Sequence, residues 1–353
     1  MRWRSVYRLV PVIKQIRAIK SIRVIKFNTP LRVVYTFGLS LILSQPVAAQ
    51  SALNFARTTV NERFNTGFAV TNPTPNYADV QFTFYGFDGN PVSSGLVNPV
   101  RYRIAPKGQI SMPATEIFAA SKVEGWVQAT SPTSGLMGSY VSGDFAFKVE
   151  ASDASTALTS QVIPIIREDQ INKTELLVVN PSTGNSNVTI TFFSARGDEV
   201  GTVTRSIPPR GALSLRPSTV VSSAAGGSFS ARISASVPVA AVAAIERNDS
   251  LMLAVGQAVD QPASVRVAPH FISGNGFDPI LILTNPTASP IVVTVTLFGE
   301  TGGAVHPSLS GPSSKDFLVL ANGPSWWIRG TSRGCYSFPL SMGGCASILQ
   351  TLR

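Results

Sequence analysis

The side chains that could carry out chemistry are few. Beyond residue 50 the histidines are His270 and His306 alone, and neither an H-E-x-x-H nor a C-x-x-C spacing occurs. Exported hydrolases work through an activated nucleophile, a histidine-bearing triad or a bound metal. His270 sits in the stretch APHF, where a related stretch of the chain has Ile165, so it reads as a packed residue. His306 lies among Gly, Pro and Ser with no acidic neighbour. A glycosidase needs only two carboxylates, but Asp88, Asp144, Asp153, Asp198, Glu199, Asp249 and Asp278 fall mostly where turns are expected. There Asp bonds to its own backbone and stays solvated. Nor do they follow the D-x-D-x-D-G spacing of a calcium loop. The expectation is no catalytic residue, no metal and no cofactor.

Three further features bear on binding. Arg196-Gly197-Asp198 spells an adhesion tripeptide, but its glycine matches Gly89 and Gly302 in related stretches, so a turn accounts for it. Trp126 and Trp327 match Phe229 and read as sandwich core. Trp326, beside Trp327 on an alternating strand, should face the other way and is the aromatic expected to contact a partner. Cys335 and Cys345 stand ten residues apart near the end of the sequence, and the sequence allows a disulfide or two free thiols.

The net charge of +10 is concentrated at one end. Residues 1–50 carry nine basic side chains and no acidic one, which leaves the remainder with 20 basic and 19 acidic residues. That balance gives no footprint for nucleic acid. The basic leader runs into VVYTFGLSLIL and then Val47-Ala48-Ala49, the three parts of a secretory signal with cleavage expected after Ala49. The apolar run is too short to span a bilayer, so no membrane span is expected in the mature chain. Secretion, to the cell surface or the periplasm, follows as the expectation.

The elements that would hold such residues are written as a recurring phrase. GFAVTNPTPNYADVQFTFYGFDG returns as ELLVVNPSTGNSNVTITFFSARG and as PILILTNPTASPIVVTVTLFGETG. Aligned on Asn72, Asn180 and Asn285, the copies lie a whole domain apart, too far for a solenoid unit. In each, apolar residues at alternate positions (Val80, Phe82, Phe84; Val188, Ile190, Phe192; Val293, Val295, Leu297) predict a half-buried strand. IAPKGQISMP answers IPPRGALSLRP, with GPSSKDFLVL as a worn third version. GWVQATS, FSARISAS and WWIRGTS align in turn.

These motifs resemble the tandem immunoglobulin-like or fibronectin-III-like β-sandwich repeats of secreted bacterial proteins. The resemblance implies an all-β chain of three extracellular modules and carries over no catalytic residue. The expected organisation is a signal segment at 1–49 and sandwiches at 51–160, 161–264 and 265–353. The third is shortened, with a missing or reduced edge strand that invites self-association. The function expected is a non-enzymatic structural or adhesion protein at the cell surface, with a protein or polysaccharide partner. The alternative is a train of carbohydrate-binding modules, which would need exposed aromatics.

Overall fold

Along ADVQFTFY every second side chain is apolar, and Val80, Phe82 and Phe84 are all but fully buried. The same period-two pattern recurs in NTGFAVT and SNVTITFFS. The computed structural model describes residues 51–144, 148–221, 227–247, 251–259, 265, 280–298, 314–322 and 324–329. Among them helix is confined to a four-residue turn, Ala114–Ile117, and one 3₁₀ turn, Pro217–Thr219. The protein is all-β, with several antiparallel sheets, and no helix among the described residues is long and apolar enough to cross a membrane.

The first eight strands are β1 (Ser51–Val60), β2 (Asn65–Thr71), β3 (Ala78–Tyr85), β4 (Val100–Ile104), β5 (Gln109–Pro113), β6 (Val123–Ser131), β7 (Met137–Gly143) and β8 (Val149–Asp153). They form two four-stranded sheets, β1-β6-β3-β4 and β5-β2-β7-β8. Phe55 of the first sheet meets Phe68 and Tyr140 of the second edge-on, at 4.9 and 5.9 Å between ring centres, so one aromatic core serves both. Burial holds the Tyr140 phenol well above its ordinary range. Burial also raises the Glu150 carboxyl on β8. A carboxylate raised on folding favours the native state only while protonated, so its contribution is lost as pH rises through its ordinary range. Glu150→Gln should therefore unfold at higher denaturant than the parent at pH 7 and at the same denaturant below pH 4. A variant no more stable at pH 7 would contradict this.

The next strands are β9 (Leu158–Glu168), β10 (Lys173–Val179), β11 (Ser186–Ser194), β12 (Glu199–Ile207), β13 (Ala212–Leu215), β14 (Gly227–Glu246), β15 (Leu251–Val255) and β16 (Gln257–Ala258). β9 starts at Leu158, three residues ahead of the expected boundary. β14, at 20 residues, pairs with β9 and β11 through its first half and with β10 and β15 through its second. Its register breaks between Ser234 and Val239, around Pro238, a residue that cannot donate to a ladder. β14 thus covers the places that β6 and β7 fill separately. On β10, Leu176 and Val178 join one buried cluster while Leu177 and Val179 join another, so the run LLVV is covered on both faces.

The last strands are β17 (Ile280–Thr284), β18 (Ile291–Thr296), β19 (Ser314–Val319) and β20 (Pro324–Arg329), paired as β17-β20 and β18-β19. Leu283, Val293, Val295, Phe317 and Val319 make their own cluster.

Two expectations are corrected here. The edge strand expected to be lost is present, because β19 pairs with β18 from Ile291↔Val319 to Thr296↔Ser314, as β4 pairs with β3 and β12 with β11. The third copy is short only if WWIRGTS is set against GWVQATS, and the ladder places it elsewhere. β20 pairs with β17 as β5 pairs with β2 and β13 with β10: Thr284↔Pro324 stands where Thr71↔Gln109 and Val179↔Ala212 stand. WWIR therefore replaces ISMP and LSLR, not GWVQ. The interval from Gly302 to Gly323 is no shorter than from Gly89 to Gly108.

Candidate functional site

The recurring Asn-Pro builds one local device three times. Asn72, Asn180 and Asn285 are fully buried. The Asn180 Nδ2 donates to the carbonyls of Gly184, Ile207 and Pro208 at 2.7, 3.1 and 3.0 Å, while its Oδ1 accepts from Ser182 N and Oγ. Asn72 bonds in the same way to Asn76, Ile104, Ala105 and Thr74. Asn285 repeats the pattern with Ser289, Val319 and Thr287. The amide is needed because it alone offers donors and acceptors together in so small a space. It ties the loop after β2, β10 or β17 to the turn after β4, β12 or β19.

Each turn carries a non-glycine residue in the left-handed region: Lys107 at φ 59°, Arg210 at 57° and Asn322 at 58°. Their amides donate to Thr74, Ser182 and Thr287. The Lys107 Nζ donates to the Pro73 carbonyl, and the Arg210 Nη1 donates likewise to the Pro181 carbonyl. The outcome is a rigid tip at one end of each sheet.

The second tip is docked on the outer face of the β1-β6-β3-β4 sheet. Trp126 Nε1 donates to the Arg210 carbonyl at 2.9 Å, and Arg210 Nη1 donates to Gln128 Oε1 at 2.7 Å. The guanidinium lies 5.9 Å from the Tyr85 ring, which is itself stacked on Trp126 at 5.0 Å. Behind the tip, Ala56 and Trp126 meet Leu177, Val179, Ala240 and Val242 in a buried cluster between the two sets of sheets. At the rim, Arg57 pairs with Glu175 at 3.2 Å and Lys148 with Glu246 at 2.5 Å.

Gly89 shows how close the backbones come. A Cβ there would stand 2.1 Å from the Pro209 carbonyl oxygen, and its φ is +87°. Gly89→Ala should therefore lose roughly 1–2 kcal/mol of stability to left-handed strain and, in addition, loosen the docked tip. Hydrogen exchange at the Ala212 amide, which donates to Phe87 O at 2.9 Å, should speed up in the variant. Unchanged exchange there would refute the second effect.

The third tip sits on the second set of sheets by the same plan. Arg232 Nη2 donates to the Pro286 carbonyl and, at 2.9 Å, to Asn322 Oδ1. Ser230 Oγ donates to Asn322 O at 3.3 Å, and the Arg232 guanidinium lies 5.6 Å from the Phe193 ring. Thr284 Oγ1 donates to the Pro164 carbonyl at 3.2 Å, and Ile282 packs on the neighbouring core. Tyr85 and Phe193 each lie thirteen residues past their Asn. At both junctions a guanidinium covers that aromatic ring and binds the carbonyl of the proline after the Asn.

The strand register also corrects the reading of Trp126. Tyr85↔Trp126 corresponds to Phe193↔Ser230, so the counterpart of Trp126 is Ser230, and Phe229 corresponds to Gly125. Phe229 packs in the core between its sheets, whereas Trp126 faces outward and is buried by the next segment. The cue in the sequence was the phase of β6: Val127 and Ala129 face the core, which leaves Trp126 as a large apolar residue on the outer side.

Of the other residues singled out, Ala49, His270, His306, Cys335, Cys345, Asp249 and Asp278 lie outside the described residues. So does the side chain of Trp326, whose backbone belongs to β20. A G-x-S-x-G spacing occurs once, from Gly330 to Gly334, and it too lies outside them. Asp88 is in an exposed turn, where bonds from Asn90 hold its carboxyl below the usual range. Arg196-Gly197-Asp198 forms the tight turn from β11 to β12, with Gly197 at φ 87° and Ser194 N donating to Asp198 O. Among the described residues no three His, Cys, Asp or Glu side chains are grouped to hold a metal ion. A cleft of about 340 Å³ beside the first junction has Asn54 and Gln128 in its lining, already bonded to each other at 3.0 Å.

No family model matches the chain, and no curated protein matches it. Among solved structures, the crystal structure of Thermotoga maritima 1070 is similar over 29% of this chain and 96% of its own, at 17% identity and a TM-score of 0.27. A likeness at that score carries no argument about fold or function.

Proposed function

We propose that the chain is a secreted or cell-surface structural or adhesion protein without enzymatic activity, made of three tandem immunoglobulin-like sandwich modules behind a signal segment at 1–49. The supporting observation is the pair of junctions. Two successive Asn tips are seated on the outer sheet of the preceding segment, each with a guanidinium over the aromatic that lies thirteen residues past the preceding segment's own Asn. Modules joined by buried contacts as well as by chain make a stiff spacer. The carbohydrate-binding reading needs an exposed aromatic platform, and Trp126, whose indole would suit it, is fully buried in a junction.

Expression of the full chain in a bacterial host, followed by fractionation and N-terminal sequencing, tests the exported half of this reading. The product should leave the cytosol and begin at Gln50; a cytosolic product retaining Met1 would overturn it. Small-angle scattering tests the spacer half. The scattering of the native chain should fit one rigid arrangement, and a profile that needs freely jointed modules would count against it.

A further inference from the structure

The two junctions share a receiving aromatic and an arriving tip, and the described residues hold one more of each. On the receiving side the aromatic thirteen residues past the Asn is Tyr85, then Phe193, then Phe298. Tyr85 and Phe193 lie beneath a docked tip, whereas Phe298 is 66% exposed. Val292, whose counterparts are Asp79 and Asn187, adds a further exposed apolar side chain on the strand that leads to Phe298. On the arriving side the tips are those of Arg210 and Asn322, and a third tip of the same build, at Lys107, is exposed among the described residues. Lys107 is exposed, shares the left-handed conformation of Arg210, and holds the Pro73 carbonyl with its ammonium as Arg210 holds Pro181 with its guanidinium.

We propose that the outer face of the β18-β19 sheet, centred on Phe298, receives the Lys107 tip of a second copy, so that chains associate head to tail. This rests on the reading of the three segments as equivalent modules. Continuity with the two internal junctions selects the occupant: of the three tips, the one at Lys107 is covered by no other segment among the described residues. The Lys107 ammonium would stand over the Phe298 ring, as the Arg210 guanidinium stands over Tyr85. The contact is heterologous, since a different surface is used on each copy, so it leads to open chains and not to closed dimers. It is also weaker than the internal junctions. Where the second segment presents Leu177, Val179, Ala240 and Val242 to its neighbour, the first presents Ala69, Thr71, Met137 and Ser139 at the same register positions. Less apolar area is buried as a result, and association should be concentration-dependent.

Sedimentation velocity on the purified chain, with Phe298→Arg and Lys107→Asn variants, tests the proposal. Wild type should grow past dimer as concentration rises. Each variant alone should associate at least tenfold more weakly. An equimolar mixture of the two should recover dimers and nothing larger, because each variant keeps one intact half of the contact. A monomeric wild type, a closed dimer, a Phe298→Arg variant that associates like wild type, or a mixture that fails to pair would each overturn it. If association fails while Trp126→Ala still uncouples the first two segments, the module reading stands without the head-to-tail contact.

Discussion

Trp126→Ala should remove about 3–5 kcal/mol of stability, the range for deleting a buried Trp or Phe side chain, and should take it from the junction instead of from a sandwich core. The indole is fully buried among Ala56, Leu177, Val179, Ala240 and Val242, and its N–H satisfies the Arg210 carbonyl. Truncation opens a cavity between two sets of sheets and orphans that carbonyl. The core around Phe55, Phe68 and Tyr140 keeps its contacts. Equilibrium unfolding of the variant should then separate into two transitions where the parent shows one for these two segments. Phe55→Ala, of comparable cost, should instead lower the first segment's own transition. A Trp126→Ala protein that still unfolds in one step, with its midpoint merely shifted, would rule out a junction role.

Asn180→Asp should cost at least about 3 kcal/mol at pH 7, since each buried polar group left without its partner costs about 1–3 kcal/mol. The substitution adds no bulk. It replaces the Nδ2 that donates to the Gly184, Ile207 and Pro208 carbonyls with an oxygen that repels all three. Burial and those carbonyls would raise the new carboxyl's pKa in the folded state. Protonation restores one donor, so the deficit should shrink as pH falls toward 4 and be largest above neutrality. Denaturant midpoints at pH 4 and pH 7 decide the matter, and a variant as stable as the parent at pH 7 would show that the amide's donors are dispensable.

What the sequence made legible was whatever is local. Alternation placed Val80, Phe82 and Phe84 inward, and the Asn-Pro phrase marked a turn, because both are set within a few residues. The junctions were not legible in the same way. The carbonyl that Trp126 bonds belongs to Arg210, 84 residues on, and no periodicity reports such a pairing. Matching by side-chain likeness also misled, since setting Trp126 against Phe229 slips the register by one and moves a side chain to the opposite face. WWIR resembles GWVQ in composition, yet its ladder partner is β17, and ladder partners define a strand's place. The unbroken LLVV of β10 and the outward Trp126 of β6 were the local signs that a sheet had neighbours on both sides.

β14 has a mechanical consequence. Ser230 and Arg232, in its first half, grip the third segment, while Ala240 and Val242, in its second half, lie against the first. A pull applied between the outer segments is therefore carried, alongside the contacts of Arg210, Leu177, Val179 and Pro164, by one continuous peptide backbone, the thirteen residues Ser230 to Val242. The load need not cross the hydrophobic core, where sheets can slide apart, and travels along covalent bonds braced in shear by ladders on either side. The middle segment should accordingly be the last of the three to yield under tension.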